Sequence, residues 1–389
     1  MAVARTSPTA AHDLPATRLA LLDEPLRLYR GGVIEHPVIA YEALGALNAA
    51  RDNTLLLFTG LSPSAHAASS PADPKPGWWE SMIGAGKPID TDRFYVLCIN
   101  SIGSPYGSSS PTSIDPRTGR PFGIAFPEVS LEDVARGGYE VLRQLGIDTV
   151  ACVAGPSMGG MTVLAFAAQF PSVARNIMSI SGATAANPFA ISLRSLQREI
   201  VRNDPAWRGG NYERGRGPRQ GMRMARKLGT ITYRSHEEWD QRFGRRRVAE
   251  TTGQPGDFRA QFEVESYLEH QGQRFADVFD ANCYLYLSRA MDQFDLAEHG
   301  AGSLDAAFAK FRGVQRTLVL GAQTDMLYTI DQQTLIAEHL RKVGVEVEFH
   351  AFPSPQGHDA FLVDNARFEP AIADFLSKIS VQGIGDSRK

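Results

Sequence analysis

The stretch that decides the fold is Thr149-Val-Ala-Cys-Val-Ala-Gly-Pro-Ser-Met-Gly-Gly160. Its first half, residues 149–154, is an uninterrupted apolar run typical of a strand buried on both faces, and a helical pattern follows over residues 161–170. Between them, two glycines flank Ser157 at the spacing G-x-S-x-G. Between a strand and a helix, this motif predicts a sharp turn that exposes the Ser157 hydroxyl at the edge of a sheet.

Outward from this turn, short apolar runs alternate with helical patterns along most of the chain. The predicted strands cover residues 54–58, 94–99, 149–154, 176–181, 317–320 and 345–352, and the clearest further helices cover 131–145 and 331–342. Such alternation is typical of a parallel sheet covered by helices on both faces. The sequence therefore predicts an α/β fold with a doubly wound, mostly parallel sheet.

Composition narrows the classes of function. The 389 residues include 40 Lys and Arg against 43 Asp and Glu, a net charge of −3 that argues against a nucleic-acid binder. No apolar run approaches the roughly 18 residues of a membrane helix, and residues 1–13 lack the apolar segment of a secretory signal. The three cysteines, Cys98, Cys152 and Cys283, lie far apart, which predicts reduced thiols without metal-binding spacing. We expect a cytoplasmic protein with no metal site and no permanently bound cofactor.

One segment differs from the rest in charge. Residues 198–247 contain fourteen Lys and Arg but six Asp and Glu, a local excess of +8. We interpret residues 188–303 as a helical cap inserted into the sheet domain, which comprises residues 1–187 and 304–389. The alternative is that the basic run is a solvated face without a ligand.

Two later loops supply partners for Ser157. A serine hydroxyl needs an adjacent base, which a carboxylate orients. Asp325 follows the strand at 317–320, and His358 follows the strand at 345–352. The order Ser, Asp, His is that of an α/β-hydrolase fold. Ser157, Asp325 and His358 are therefore the predicted catalytic triad, which fits an esterase or deacetylase as well as a transferase, and argues against an idle binding protein.

Five ordered motifs resemble the homoserine O-acyltransferase family, whose α/β-hydrolase-fold members move an acyl group from coenzyme A to an amino-acid hydroxyl. They are TGLSPSAH (59–66), NSIGSPYG (100–107), GPSMGG (155–160), ARKLGTITYRS (225–235) and GHDAFL (357–362). Five more look like the branch that acylates L-serine: GWWE (77–80), GKPIDTDR (86–93), SLQRE (195–199), EVESYL (263–268) and FDANCYLYLSR (279–289). Two positions depart from the family pattern: GSSSP (107–111) replaces Gly-Ser-Thr-Gly-Pro, and Pro156 stands where Gly or Asn is commoner.

The resemblance implies roles for particular residues. Ser157 would be the nucleophile, His358 the base and Asp325 its partner. The backbone N–H groups of Leu61 and Met158 would form the oxyanion hole. Arg226 and Tyr233 would bind the carboxylate of the amino acid, and Asp359 its ammonium group.

The resemblance also implies the substrates: L-serine as acceptor, with succinyl-CoA favoured and acetyl-CoA possible as donor, in cysteine or methionine biosynthesis. L-Homoserine with acetyl-CoA is the nearest alternative, since one methylene changes binding by only about 1–3 kcal/mol. A succinyl group needs a cation for its distal carboxylate, and Arg117, Arg120 or an arginine of the cap are the options. The excess positive charge of the cap suits the phosphates of coenzyme A. A homodimer formed through the cap is a further expectation.

Overall fold

The protein is built on one eight-stranded sheet. A computed structural model describes residues 14–248 and 260–382. The strands are β1 (Arg18–Leu21), β2 (Val38–Leu44), β3 (Thr54–Phe58), β4 (Tyr95–Ile99), β5 (Cys152–Pro156), β6 (Asn176–Ile180), β7 (Arg316–Ala322) and β8 (Glu346–Phe352). Residues 1–13, which we expected to lack a secretory signal, lie outside the described residues. Where the structure describes the chain, no helix has the length and apolar character to cross a membrane.

The strand order brings the important loops to one edge. Along the sheet the order is β1-β2-β4-β3-β5-β6-β7-β8. β1 pairs with β2, and β2 with β4, in antiparallel fashion, whereas all later neighbours are parallel. The chains leaving β3, β5, β7 and β8 therefore emerge at the same edge, where ligands bind in open α/β sheets. This confirms the predicted mostly parallel sheet.

Both faces of the sheet are buried. Alternate residues of β3, such as Leu56 and Phe58 against Leu55 and Leu57, belong to two separate apolar clusters on opposite faces. The first cluster contains residues of α1 (Leu131–Gln144), α2 (Met158–Gln169) and α9 (Ile330–Lys342). The second contains Phe368, Ile372 and Phe375 of α11 (Asn365–Ser377). The sheet is doubly wound, as predicted.

A group of helices lies between β6 and β7 in the chain: α3 (Pro188–Asn203), α4 (Arg219–Thr232), α5 (His236–Arg242), α6 (Glu263–Val278) and α7 (Ala281–Gln293), followed by α8 (Leu304–Phe308). The short α10 (Ala360–Val363) precedes α11. α4 packs against both α3 and α6. The helical content predicted for this segment is present, while the division into domains at 187/188 and 303/304 stays a prediction.

The strand before Ser157 and the helix after it each begin three residues away from the predicted start. The strand begins at Cys152 instead of Thr149, because Val150 makes only an isolated bridge to Ala174 before the ladder with β3 starts. The helix begins at Met158 instead of residue 161. Gly159 and Gly160 lie in the first turn of α2, where a Cβ on Gly159 would lie 2.4 Å from the Phe58 carbonyl oxygen and one on Gly160 would lie 3.0 Å from that of Ile180.

Candidate active site

Ser157 occupies a strained turn between β5 and α2. Its backbone has φ 58° and ψ −121°, a conformation that few residues other than glycine adopt. Its N–H donates to the carbonyl of Ile180 on β6 at 2.8 Å, which holds the turn against the sheet. A Cβ on Gly155 would lie 2.5 Å from the backbone of Gly159, and one on Gly159 would lie 2.4 Å from the Phe58 carbonyl oxygen. The close approach of three backbone segments explains both glycines of the motif.

The three predicted catalytic side chains form one hydrogen-bonded line. His358 Nε2 lies 2.7 Å from Ser157 Oγ, and His358 Nδ1 lies 2.7 Å from Asp325 Oδ2. Asp325 and His358 are buried, whereas Ser157 is partly exposed. With an ionised Asp325 accepting from Nδ1–H, Nε2 is free to accept the serine proton. The geometry is that required for general-base activation of Ser157.

Asp325 is oriented by its own loop. Its Oδ1 accepts hydrogen bonds from the backbone N–H groups of Leu327 at 2.9 Å and Tyr328 at 3.0 Å. The other oxygen is thereby directed to His358. Burial by itself would lower the pKa of His358, but the charge of Asp325 and the hydrogen bond to it prevail, so that the pKa is raised above its ordinary value.

The two residues predicted for the oxyanion hole lie in two segments near Ser157, the start of α2 and the loop after β3. Met158 is the first residue of α2, so its N–H has no partner within the helix. Leu61 belongs to the loop after β3 and lines the same cavity as Ser157. That loop approaches the turn closely, since a Cβ on Gly60 would lie 3.9 Å from the Pro156 carbonyl oxygen. The position of both N–H groups is compatible with an oxyanion hole, which stays a prediction.

Ser157 and His358 line a cavity. Its volume is about 990 Å³ when the solvent-filled space at its entrance is included. Its apolar lining comes from the loop after β3, from α3 and α7, and from the loops after β7 and β8; it includes Leu61, Trp78, Leu193, Tyr284, Met291, Leu327 and Phe361. Its charged side chains, besides the histidine, are Arg194, Arg226 and Asp359. Two guanidinium groups and one carboxylate suit a ligand with negative and positive groups close together.

Arg226 and Tyr233 lie together, while their predicted role in binding the amino-acid carboxylate stays a prediction. The guanidinium carbon of Arg226 is 5.4 Å from the ring centre of Tyr233 and 4.7 Å from that of Phe275. Among residues 14–248 and 260–382 no carboxylate forms an ion pair with Arg226, and its buried Nε has no hydrogen-bond partner there. Aromatic stacking leaves the charge of the guanidinium available to an anion.

Asp359 lies in the cavity but has a partner that the sequence did not reveal. Its Oδ2 is 3.2 Å from Nε of Arg234, which also approaches Glu238 at 3.6 Å. The carboxylate that was expected to receive an ammonium group is therefore already part of an ion pair. An ammonium group would have to share Asp359 with Arg234.

The expected positive charge of the cap is partly offset by a neighbouring helix. Arg223 and Lys227 both form ion pairs with Glu269 on α6, Arg219 with Asp277, and Arg246 with Glu263. The count over residues 198–247 omitted α6, which packs against α4 and carries these acids. Charge summed over a segment misses partners supplied by another helix.

Neither arginine proposed from the loop at 100–123 reaches the cavity. Arg117 pairs with Asp115 at 2.9 Å and its side chain is mostly exposed, and Arg120 is exposed as well. The third option was an arginine of the predicted cap without a residue number, and Arg194 in that segment does line the cavity. A signal was present: Arg194 falls on the buried stripe of α3, together with Ala190, Gln197 and Val201.

Comparisons with known proteins agree with this geometry. Residues 53–364 match the family model of the alpha/beta hydrolase fold. A serine O-succinyltransferase of Litchfieldella anticariensis is 56% identical over 365 residues, which cover 94% of this chain and 99% of that protein. An L-serine/homoserine O-acetyltransferase of Streptomyces lavendulae is 54% identical over 369 residues, which cover 94% and 98%.

A solved structure with lower sequence identity to this chain has the same fold. The homoserine O-acetyltransferase of Bacillus anthracis superposes with a TM-score of 0.84 at 25% identity, covering 94% of this chain and 99% of that one. Identity above one half over nearly whole chains exceeds what a shared fold alone produces. The chain therefore belongs to the homoserine/serine O-acyltransferase family of the α/β-hydrolase superfamily, and it is an acyltransferase.

Proposed function

We propose that this acyltransferase moves an acyl group from coenzyme A to the side-chain hydroxyl of L-serine, with succinyl favoured over acetyl. The observation that carries the proposal is the line Ser157–His358–Asp325 at the base of a cavity that also holds Arg226. The names of the relatives support serine as acceptor, and they include both succinyl and acetyl transfer. Acyl-CoA enters as a co-substrate and leaves as free coenzyme A.

In the first half-reaction Ser157 becomes acylated. His358 Nε2 takes the proton of Ser157 as Oγ attacks the thioester carbonyl, and Asp325 stabilises the imidazolium that forms. The oxyanion accepts hydrogen bonds from the N–H groups of Leu61 and Met158, each worth about 3 kcal/mol at comparable sites. Collapse of the tetrahedral intermediate breaks the C–S bond, and His358 returns the proton to the thiolate. The products are acyl-Ser157 and coenzyme A.

In the second half-reaction the amino acid receives the acyl group. Its hydroxyl loses a proton to His358 and attacks the ester carbonyl of acyl-Ser157, and the proton returns to Ser157 Oγ as that bond breaks. Leu193, Tyr284 and Met291 cover the cavity with apolar surface, which disfavours water as the competing acceptor. Arg226 binds the carboxylate of the amino acid, with Tyr233 beneath it, and Asp359 receives the ammonium group.

We further propose that the protein acts as a homodimer in the cytoplasm. Phe189 and Leu196 on α3, and Met224 and Ile231 on α4, are exposed apolar residues at i, i+7 spacing on two packed helices. A second copy of the chain would cover such a surface. The cytoplasmic site is supported by three buried, unpaired cysteines, which are typical of a reducing compartment.

A thiol-release assay tests the chemistry. Acetyl-CoA and succinyl-CoA are each combined with L-serine, L-homoserine or no amino acid. We expect thiol release that requires L-serine and saturates with it, and that Ser157→Ala abolishes. Release that is indifferent to the amino acid would instead identify a thioester hydrolase, and a strict requirement for L-homoserine would change the acceptor.

The role of Arg226 is tested by a matched pair on one helix. Arg226→Gln should raise KM for L-serine about 10- to 100-fold, the loss expected for a charged hydrogen bond. Arg223→Gln, one turn earlier and paired with Glu269 on the outside of the cavity, should leave KM within about 2-fold, the loss expected at a surface ion pair. Equal effects of the two changes would remove Arg226 from the acceptor site.

A further inference from the structure

Arg234 is a largely buried cation to which the proposed mechanism assigns no role. It lies just after α4, and its side chain is 11% exposed. Its Nε lies 3.2 Å from Asp359 Oδ2, and its Nη1 donates to Gln356 Oε1 at 2.9 Å. Asp359 lines the cavity, whereas Arg234 does not belong to the described residues that line it. Arg234 therefore holds Asp359 from outside the cavity.

The backbone beside this ion pair is fixed as well. The N–H of Asp359 donates to the carbonyl of Tyr233 at 3.2 Å, and the hydroxyl of Ser235 donates to the carbonyl of Pro355. Gly357 has φ 62°, and a Cβ there would lie 2.8 Å from the Tyr233 carbonyl oxygen and 2.9 Å from the Ser235 nitrogen. The segment after α4 thus lies directly against the loop after β8, and the Arg234 guanidinium joins the same two segments through side chains.

A second acid keeps Arg234 in place. Its Nη1 lies 3.6 Å from Glu238 Oε1, which also lies 3.4 Å from Nη1 of Arg242. Glu238 is only 5% exposed, whereas the side chain of Arg242 is 41% exposed. With Gln356, Glu238 and Asp359 around it, the Arg234 guanidinium has a fixed position. Asp359 therefore has a rigid support on the side away from the ligand.

One oxygen of Asp359 stays available to a ligand. Oδ2 contacts Arg234, whereas Oδ1 makes no hydrogen bond to residues 14–248 or 260–382. A carboxylate can accept from two cationic partners, one on each oxygen. The ammonium and carboxylate groups of an α-amino acid are attached to the same carbon, so their two binding groups must keep a fixed separation. Arg226 and Asp359 can do so only if the Asp359 carboxylate does not rotate.

We propose that Arg234 is a positioning residue that holds Oδ2 of Asp359, so that Oδ1 receives the ammonium group of the acceptor and selects amino acids over hydroxy acids without an amine. The proposal rests on the proposed acyl transfer and concerns its acceptor site. Arg234 acts through Asp359 and does not touch the substrate. Misplacement of a substrate by about 1 Å can cost about 100-fold in rate, so a support of this kind has a measurable effect.

Acceptor preference tests this role. The value of kcat/KM is measured at saturating succinyl-CoA with L-serine and with 3-hydroxypropanoate, which keeps the hydroxyl and the carboxylate but has hydrogen in place of the ammonium group. We expect the wild type to prefer L-serine about 10- to 100-fold, and Arg234→Met to lose most of this preference through a rise of about 10-fold in KM for L-serine. Arg234→Lys, which keeps a cation beside Asp359, should recover part of it.

The first half-reaction distinguishes positioning from damage to the fold. The burst of thiol from succinyl-CoA without an amino acid reports acylation of Ser157, which does not involve the ammonium site. Arg234→Met should keep the wild-type burst. Arg242→Met is the matched control, since it removes the other guanidinium from Glu238 without contacting Asp359, and it should keep both the burst and the preference for L-serine.

Two results would contradict the inference. In one, Arg234→Met keeps the preference for L-serine. In the other, it loses the burst and loses both acceptors equally, which would indicate that the contact between the two segments is structural only. If Arg234→Met does not fold, Arg234→Lys decides between the same outcomes.

A binding measurement separates this inference from the proposed function. L-Serine should raise the Tm of the wild-type protein more than 3-hydroxypropanoate does, and this difference should vanish in Arg234→Met and persist in Arg242→Met. If the wild type releases thiol without regard to the amino acid, the proposed transfer fails, while the Tm difference still decides whether Arg234 supports an ammonium site. Serine-dependent transfer with an equal Tm difference in wild type and Arg234→Met would overturn the Arg234 assignment alone.

Discussion

At the scale of single residues, the site depends on hydrogen bonds that orient charges before substrate binds. Asp325 uses one oxygen for two backbone N–H groups and the other for His358. Such a carboxylate fixes the imidazole in the tautomer that can accept a proton from Ser157. The same arrangement raises the pKa of His358, which would set the pH range in which the proposed base is active.

Replacing Asp325 by asparagine should decrease kcat by about 10⁴, because an amide no longer imposes that tautomer. It should also change the pH profile. The proposed base acts in its neutral form, so the activity of the wild type should fall as the pH decreases through the His358 pKa, which lies above the ordinary 6.5. In the variant the charge of Asp325 is absent, so the His358 pKa and the acidic limb of the profile should both move to lower pH. The measurement is kcat/KM for acylation from pH 5 to 9. Asp364→Asn, a buried aspartate paired with Arg367, is the control and should leave the acidic limb in place.

At the scale of elements, α1 shows how local interactions position a helix under the sheet. Ser130 accepts from the N–H of Asp133 at 3.3 Å, while Asp133 accepts from the N–H of Ser130 at 2.8 Å. This reciprocal pair satisfies two N–H groups at the start of the helix. Asp133 also accepts from Tyr29 N–H at 2.8 Å and so links α1 to the N-terminal segment.

Ser130→Ala should therefore lower the free energy of unfolding by about 1 kcal/mol, the typical loss of a helix cap. Urea denaturation gives the value, and thiol release should be unaffected because α1 does not line the cavity. Ser303→Ala, at the exposed start of the five-residue α8, serves for comparison and should be milder. A larger loss at Ser303 would contradict the importance given to the reciprocal pair.

At the scale of the whole molecule, His66 joins the loop after β3 to strand β2. Its Nδ1 lies 2.9 Å from Glu42 Oε2 on β2, and its Nε2 lies 2.8 Å from the carbonyl oxygen of Lys75. Both partners are acceptors when Glu42 is ionised, so only the protonated ring, with hydrogen on both nitrogens, can donate to both of them. Burial lowers its pKa, but the hydrogen bonds to Glu42 and Lys75 and the charges of Glu42 and Asp73 raise it above 6.5 overall.

A group whose pKa is raised by folding stabilises the protein fully below its unfolded pKa, and the contribution disappears as the pH rises through the folded pKa. His66→Gln should consequently destabilise the protein more at pH 6 than at pH 9. Urea denaturation at both pH values provides the comparison, with the exposed His36→Gln as control. A loss that is the same at both pH values would show that His66 acts by packing alone.

The exposed apolar face of α3 and α4 allows a test of assembly. Met224→Glu should convert the proposed dimer into monomers, since burial of a carboxylate in an apolar interface is unfavourable. Light scattering during size-exclusion chromatography reports the mass. Leu335→Glu, an exposed leucine on α9, is the control and should leave the mass unchanged. A wild-type monomer would refute the assembly without affecting the catalytic proposal.

The sequence by itself determined the features that depend on near neighbours along the chain. The turn at Ser157 follows from backbone sterics at its glycines, the strands from apolar runs, and the α1 cap from Ser130 and Asp133. The positions of Ser157, Asp325 and His358 after predicted strands also indicated that the three side chains lie close together, because loops after parallel strands emerge at one edge of the sheet. The exact ends of β5 and α2 were missed, since the ladder with β3 decides them.

Only the tertiary structure decided which charges meet across elements. It paired Asp359 with Arg234, placed acids of α6 beside three of the four basic residues of α4, and brought Arg194 and Arg198 to one aspartate of α7. These contacts join residues that are far apart in sequence, from 42 positions for Lys227 and Glu269 to 125 for Arg234 and Asp359, so neither periodicity nor local charge counts reveal them. Electrostatic interactions depend on distance in space, and packing of the helices determines that distance.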